Sequence, residues 1–128
     1  MESQNEDNRS SMVSKVESKD QWEFLVNKAQ QQNSPIVVHF GASWCIPSVA
    51  MNSLFEELAS DYSDVMFINV DVDDVKEVAS KMEVKAMPTF LLMKNGSVVD
   101  KLVGANPDEI RKRVGSFIQT NGGGAYMA

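Results

Sequence analysis

Apolar residues along this chain keep two rhythms, one of strands and one of helices. Met12 to Val16 alternate weakly and predict a short edge strand. Trp22, Leu25, Val26 and Ala29 recur at i, i+3, i+4 and i+7, one face of a helix, behind Ser18 and Gln21 spaced as a capping box. Asn33-Ser34-Pro35 ends that helix. Ile36-Val37-Val38-His39-Phe40 is a nearly continuous apolar run. Such a run predicts a strand covered on both faces, parallel and central. Gly41 to Cys45 make a tight connection to a further helix carrying Met51, Leu54, Phe55 and Leu58 inward, with Pro47 in its first turn.

Met66-Phe67-Ile68-Asn69-Val70 predicts a third strand. Asp74 and Glu77 can cap the helix that follows, whose apolar positions are Val75, Val78, Ala79 and Met82. Thr89 to Met93 and Val98 to Val103 flank Asn95-Gly96, a two-residue hairpin signal. Asn106-Pro107 opens a last helix with Ile110, Val114, Phe117 and Ile118 inward. The order is strand, helix, strand, helix, strand, helix, hairpin, helix. It predicts an α/β three-layer sandwich, parallel at first and closed by an antiparallel hairpin.

Length and charge narrow the possibilities. The 128 residues suit one domain, expected over 13–119, with a disordered N-terminal tail at 1–12 and a flexible C-terminal tail at 120–128. The net charge of −6 argues against nucleic-acid and anionic-membrane partners, which need a basic face. Arg111-Lys112-Arg113 reads as a solvated helix face. The start of the chain has no apolar signal core, and no run reaches the length of a membrane span. With a single cysteine, Cys45, no internal disulfide can form. A reducing cytoplasm is the expected location. One His and one Cys cannot build a closed zinc site, and Asp71, Asp73 and Asp74 lack calcium-loop spacing, so no metal is expected. Strand-end solvation and helix capping account for those aspartates.

Cys45 stands where a helix begins beyond the carboxyl end of a central strand. Ligands gather at that end of open α/β sheets. Unpaired N–H groups at a helix start favour the reactive thiolate over an inert buried thiol.

Three separated motifs then carry a resemblance: Trp44-Cys45-Ile46-Pro47-Ser48, Met87-Pro88-Thr89 and Val103-Gly104-Ala105. With Phe40 ending its strand and Lys94-Asn95-Gly96 at the hairpin, the chain resembles the thioredoxin family over about Val13 to Gln119. Val70 to Asp74 and Ala86 to Phe90 are similar to the plant h-type branch, and within it to the single-cysteine CxxS-type proteins. The resemblance implies the thioredoxin fold, a central mixed five-stranded sheet flanked by four helices. Three positions depart from the family: Ser48 replaces its second active-site cysteine, His39 its buried aspartate, and Ser53 the proline that kinks its second helix.

From the resemblance, Cys45 is the expected nucleophile. Ser48 is expected to hydrogen-bond the Cys45 thiolate or simply to fill space. His39, below Cys45, relays protons when neutral, favours the thiolate when protonated, or is a satisfied core residue. Pro88 is the expected cis-proline, with Met87 offering its backbone to an extended substrate or acting as packing. Trp44, Ile46, Pro47, Met87, Pro88, Val103 and Gly104 form the expected substrate surface. The implied partners are disulfide-containing or partly unfolded proteins, held through a mixed disulfide at Cys45. No cofactor is expected beyond glutathione as an outside resolving thiol. The chain is expected as a monomer, with a Cys45–Cys45 linked dimer on oxidation. Disulfide isomerisation or glutathione-assisted exchange is the expected activity, with a non-catalytic binder, holdase or covalent trap as the alternative.

Overall fold

The computed structural model describes residues 12–121, so the tail expectations for residues 1–11 and 122–128 lie outside the described residues. The elements run β1 (Val13–Val16), α1 (Lys19–Gln31), β2 (Ile36–Gly41), α2 (Ile46–Ala50), α3 (Asn52–Asp61), β3 (Met66–Asp71), α4 (Lys76–Lys81), β4 (Thr89–Lys94), β5 (Ser97–Val103) and α5 (Pro107–Asn121). Thr120 and Asn121, expected in the C-terminal tail, are the last two residues of α5.

The five strands form one sheet in the order β1-β3-β2-β4-β5. β1, β3 and β2 are parallel, while β4 runs antiparallel to both β2 and β5. The expectation of a parallel β2 therefore holds on one edge only, since its other neighbour comes from the closing hairpin. A buried apolar run reports that both faces are covered, not which way the neighbours point.

Alternation along β2 divides the core. Ile36, Val38 and Phe40 pack with Ile68, Val70, Leu91 and Met93 against Trp22 and Ala29 of α1 and Val78 and Ala79 of α4. Val37 packs on the other side with Phe67 and Leu92, against Leu54, Phe55 and Leu58 of α3 and Ile110, Val114 and Phe117 of α5. His39 and Gly41 share parity with Val37, so they point to the α2–α3 and α5 side.

Two helix starts follow the sequence closely. Ser18 Oγ accepts the Gln21 N–H at 3.1 Å, and Gln21 Oε1 accepts the Glu17 N–H at 2.7 Å. Asn106 Oδ1 accepts the Glu109 N–H at 3.1 Å. At α4 the expectation fails. Val75 takes the cap position with no side-chain bond, and the Asp74 N–H turns back to the Asp71 carbonyl at 3.1 Å. The chain thus makes a backbone turn where an aspartate cap was expected.

The single helix expected after Cys45 is interrupted at Met51, whose N–H bonds to the Ser48 carbonyl three residues back. The four expected helices become five segments, α2 and α3 being two parts of one. The break forms without a proline at Ser53, through a tighter 3₁₀-type bond.

Asn33 (φ 56°) and Glu83 (φ 59°), just beyond α1 and α4, adopt the left-handed conformation. Lys94 Nζ donates to the Asn33 carbonyl at 2.9 Å, and Lys101 Nζ to the Glu83 carbonyl at 3.0 Å. Arg111 pairs with Glu57, and Arg113 with Asp100 and Glu109, so two residues of the basic run are engaged in ion pairs. Among the described residues no helix is long and apolar enough to cross a membrane.

Asn95 (φ 55°) and Gly96 (φ 79°) make the left-handed pair of a type I′ hairpin turn. A methyl at Gly96 would press on Gln30 Nε2, the movable end of a side chain, so backbone strain dominates. Gly96→Ala should lower stability by about 1 kcal/mol in urea unfolding, without altering the chemistry of Cys45.

Candidate active site

Three chain segments meet around Cys45. The turn after β2 is closed by the Cys45 N–H donating to the Ala42 carbonyl at 3.1 Å. Cys45 then takes the extended conformation of a helix cap (φ −100°, ψ 106°), and the Val49 N–H returns to its carbonyl at 3.0 Å. Pro47 lies in the first turn, where a missing N–H costs nothing. The half-exposed thiol donates to the Met87 carbonyl at 3.7 Å.

The second segment carries the Met87–Pro88 peptide, which is cis. It is held by Thr89 Oγ1 donating to the Ala86 carbonyl at 2.6 Å. The third segment follows β5, where the Gly104 N–H donates to the Pro88 carbonyl at 2.9 Å. Gly104 has φ 109°, a conformation open to glycine, and nothing stands within 4 Å of where its Cβ would be.

The surface around the thiol is apolar. Trp44 is 63% exposed, Ile46 80% and Val103 61%; Met87 is half-buried, and Val49 adds a further exposed group. Pro47 is exposed, whereas Pro88 is buried. Trp44 is also tethered: its indole N–H donates to Asp73 Oδ2 at 2.6 Å, and Asp71 Oδ1 accepts the Asp73 N–H at 2.8 Å. Asp73 was expected only to solvate a strand end or cap a helix. An indole N–H needs an acceptor, but a partner 29 residues away leaves no local pattern to read.

The Ser48 hydroxyl has its partners in the turn and in β2. Ser48 is 2% exposed, and its oxygen accepts the Ala42 N–H at 3.1 Å and lies 3.5 Å from His39 Nε2. The expected hydrogen bond to Cys45 is therefore replaced by one to the backbone of the turn. The signal for this was Gly41, whose missing side chain leaves room for the oxygen.

His39 stacks on Phe90 with ring centroids 4.7 Å apart and 9° between planes, and tilts against Phe55 at 5.4 Å. Its Nδ1 has no hydrogen-bond partner. Burial pushes its pKa down to about 4, because removing water penalises the imidazolium. Its lowered pKa favours the neutral ring at neutral pH, and the unpartnered Nδ1 departs from the expectation of a satisfied core histidine. Lys15, Asn69 and His39 align across β1, β3 and β2. They line a cavity of about 420 Å³ that also reaches Ala42, Ser43, Ser48, Val49 and Asp71. Among the described residues no group of three or more His, Cys, Asp or Glu could hold a metal ion.

The family model described as Thioredoxin matches residues 13–116 of this sequence. The chain belongs to the thioredoxin family. It is 63% identical over 109 residues to the thioredoxin-like protein CXXS1 of Arabidopsis thaliana, covering 85% of this chain and 92% of that protein. To the like-named protein of Oryza sativa subsp. japonica it is 52% identical over 112 residues, covering 88% and 84%. Among solved structures, thioredoxin NaTrxh from Nicotiana alata superposes with a TM-score of 0.80 at 39% identity, covering 84% of this chain and 93% of that one. These likenesses support the resemblance read from the three motifs, and the chain is a thiol–disulfide exchange protein of the thioredoxin type.

Within the thioredoxin frame, His39 gives a readout of its own. Its folded pKa of about 4 lies below the unfolded value, so it carries no penalty above pH 6.5 and an increasing one as pH falls toward 4. Lowering the pH from 7 to 4.5 should cost about 2 kcal/mol through this residue alone. Urea unfolding of the native chain and of His39→Leu, at both pH values, should show that extra loss only in the native chain.

Proposed function

We propose that this thioredoxin-family chain rearranges disulfides, or exchanges them with glutathione as the outside thiol, rather than completing dithiol reduction. The observation that carries this reading is Ser48, buried three residues beyond Cys45 with its oxygen turned to Ala42, in a chain with no second thiol.

The Cys45 thiolate attacks one sulfur of a target disulfide. A bond forms between Cys45 Sγ and that sulfur, and the other target sulfur leaves as a thiolate. A serine hydroxyl is too weak an acid to attack in turn, and no stable S–O counterpart of a disulfide results. A second target thiolate can attack the target sulfur held by Cys45. It forms a new target disulfide and frees Cys45, with no net redox change. Alternatively, one glutathione thiolate attacks Cys45 Sγ, forming a Cys45–glutathione disulfide and releasing the target as a thiolate; a second attacks the glutathione sulfur, forming oxidised glutathione and releasing the Cys45 thiolate. The target then gains two electrons and two glutathiones lose one each.

Met87 and its carbonyl suit backbone pairing with an extended substrate beside the thiol, and the groups around Trp44, Ile46 and Val103 suit unfolded segments. A reducing compartment such as the cytoplasm would keep Cys45 free, and oxidation would link two copies through it. The exposed patch also favours a second reading, a holdase for which covalent chemistry is incidental.

Repair of a disulfide-scrambled protein and reduction of a simple disulfide, each with and without glutathione, test the proposal. Repair should proceed without added thiol once the substrate carries one of its own, and simple reduction should need glutathione. Reductase turnover without any added thiol would refute it. Cys45→Ser should reduce both activities to background. If the same variant suppresses aggregation as well as the native chain does, the holdase reading is favoured.

A further inference from the structure

Ser48 is linked to Cys45 through one intervening residue. The Ala42 N–H donates to Ser48 Oγ at 3.1 Å, and the Cys45 N–H donates to the Ala42 carbonyl at 3.1 Å. Ala42 is 4% exposed, so without Ser48 its N–H would lose its partner in a buried setting. The same turn sets the Cys45 thiol against the Met87 carbonyl. Gly41 completes the arrangement. A Cβ there would run into Ser48 Oγ and stand 3.1 Å from His39 Nε2. No positive φ calls for glycine at this position; its value is the space it leaves.

We infer that Ser48 is a positioning residue for Cys45, acting through Ala42, and that Gly41 is its necessary partner. This rests on the exchange reading above, and assigns to Ser48 neither a resolving step nor direct tuning of the thiolate. An oxygen suits the task better than a sulfur, because it accepts a backbone N–H more strongly. The substitution that removes the second thiol therefore also fixes the turn that aims the first.

The test compares the native chain with Ser48→Ala and Gly41→Ala, which attack the same bond from opposite sides. Two rates are read. One is mixed-disulfide formation with an extended disulfide-bearing peptide long enough to lie along Met87. The other is alkylation of Cys45 by iodoacetamide across pH, which needs a thiolate but no aligned groove. Each variant should slow peptide exchange about tenfold while leaving the alkylation rate and its pH midpoint unchanged.

A moved pH midpoint in Ser48→Ala would overturn the inference, since the hydroxyl would then act on the thiol itself. So would full exchange in a folded Ser48→Ala chain, since packing alone would explain the serine. Should a single variant not fold, Gly41→Ala combined with Ser48→Ala refills the space without restoring the acceptor. That double variant should fold and stay slow, and native exchange rates in it would sink the proposal.

A native chain inert toward the peptide would refute the exchange reading instead. Amide hydrogen exchange at Ala42 then decides the positioning role. Protection lost in Ser48→Ala supports it, and protection retained overturns it.

Discussion

Burial of β2 on both faces obliges the strand to satisfy its peptide groups through β3 on one side and β4 on the other. Its side chains are buried along the whole strand, so a missing partner there would be costly. The strand's course is consequently fixed along its length, and so is the point where it releases the chain into the turn that holds Cys45. The hydrogen bonds of that turn begin where the sheet ends: the Val72 N–H donates to the Gly41 carbonyl, and the Ala42 N–H to Ser48. A reactive thiol on a mobile loop would sample many positions. Here it stands one turn from the most constrained strand of the molecule.

That strand also explains why its polar group sits where it does. Side-chain alternation sends His39 to the face of Val37, among Phe55 and Phe90. A charge there would be costly, and the ring is accordingly neutral. The same face turns polar toward the carboxyl ends of the parallel strands, where Asn69, Lys15 and Asp71 line the cavity beside it. Core and site are two ends of one sheet surface, and His39 lies at the crossing.

Much of this was legible in the sequence because it depends on local rhythm. The helix faces of Trp22 and Ile110, the Asn95-Gly96 turn and the three motifs around Cys45 each involve neighbouring residues. What stayed hidden depends on distance or on direction. The strand orientation around β2 is decided by a hairpin fifty residues onward. The Trp44–Asp73 tether joins separate loops. A motif names the residue at position 48 without saying where its oxygen points, and Gly41 decides that from the opposite side of the turn. Asp74 misled because a capping residue and a turn residue look alike until the backbone chooses between them.

The two lysines that reach the chain just beyond α1 and α4 carry a consequence for how the hairpin is held. Lys94 reaches across 61 residues to the Asn33 carbonyl, and Lys101 across 18 to that of Glu83. Both lysines lie on the closing hairpin, whereas the last carbonyls of α1 and α4 are met locally, by the Ser34 N–H at Ala29 and the Val84 N–H at Ala79. The lysines add a long-range tie to turns that close by themselves. Each lysine thus pins the hairpin to the chain that leaves a helix, and its loss would loosen that turn while the helix keeps its own closing bonds.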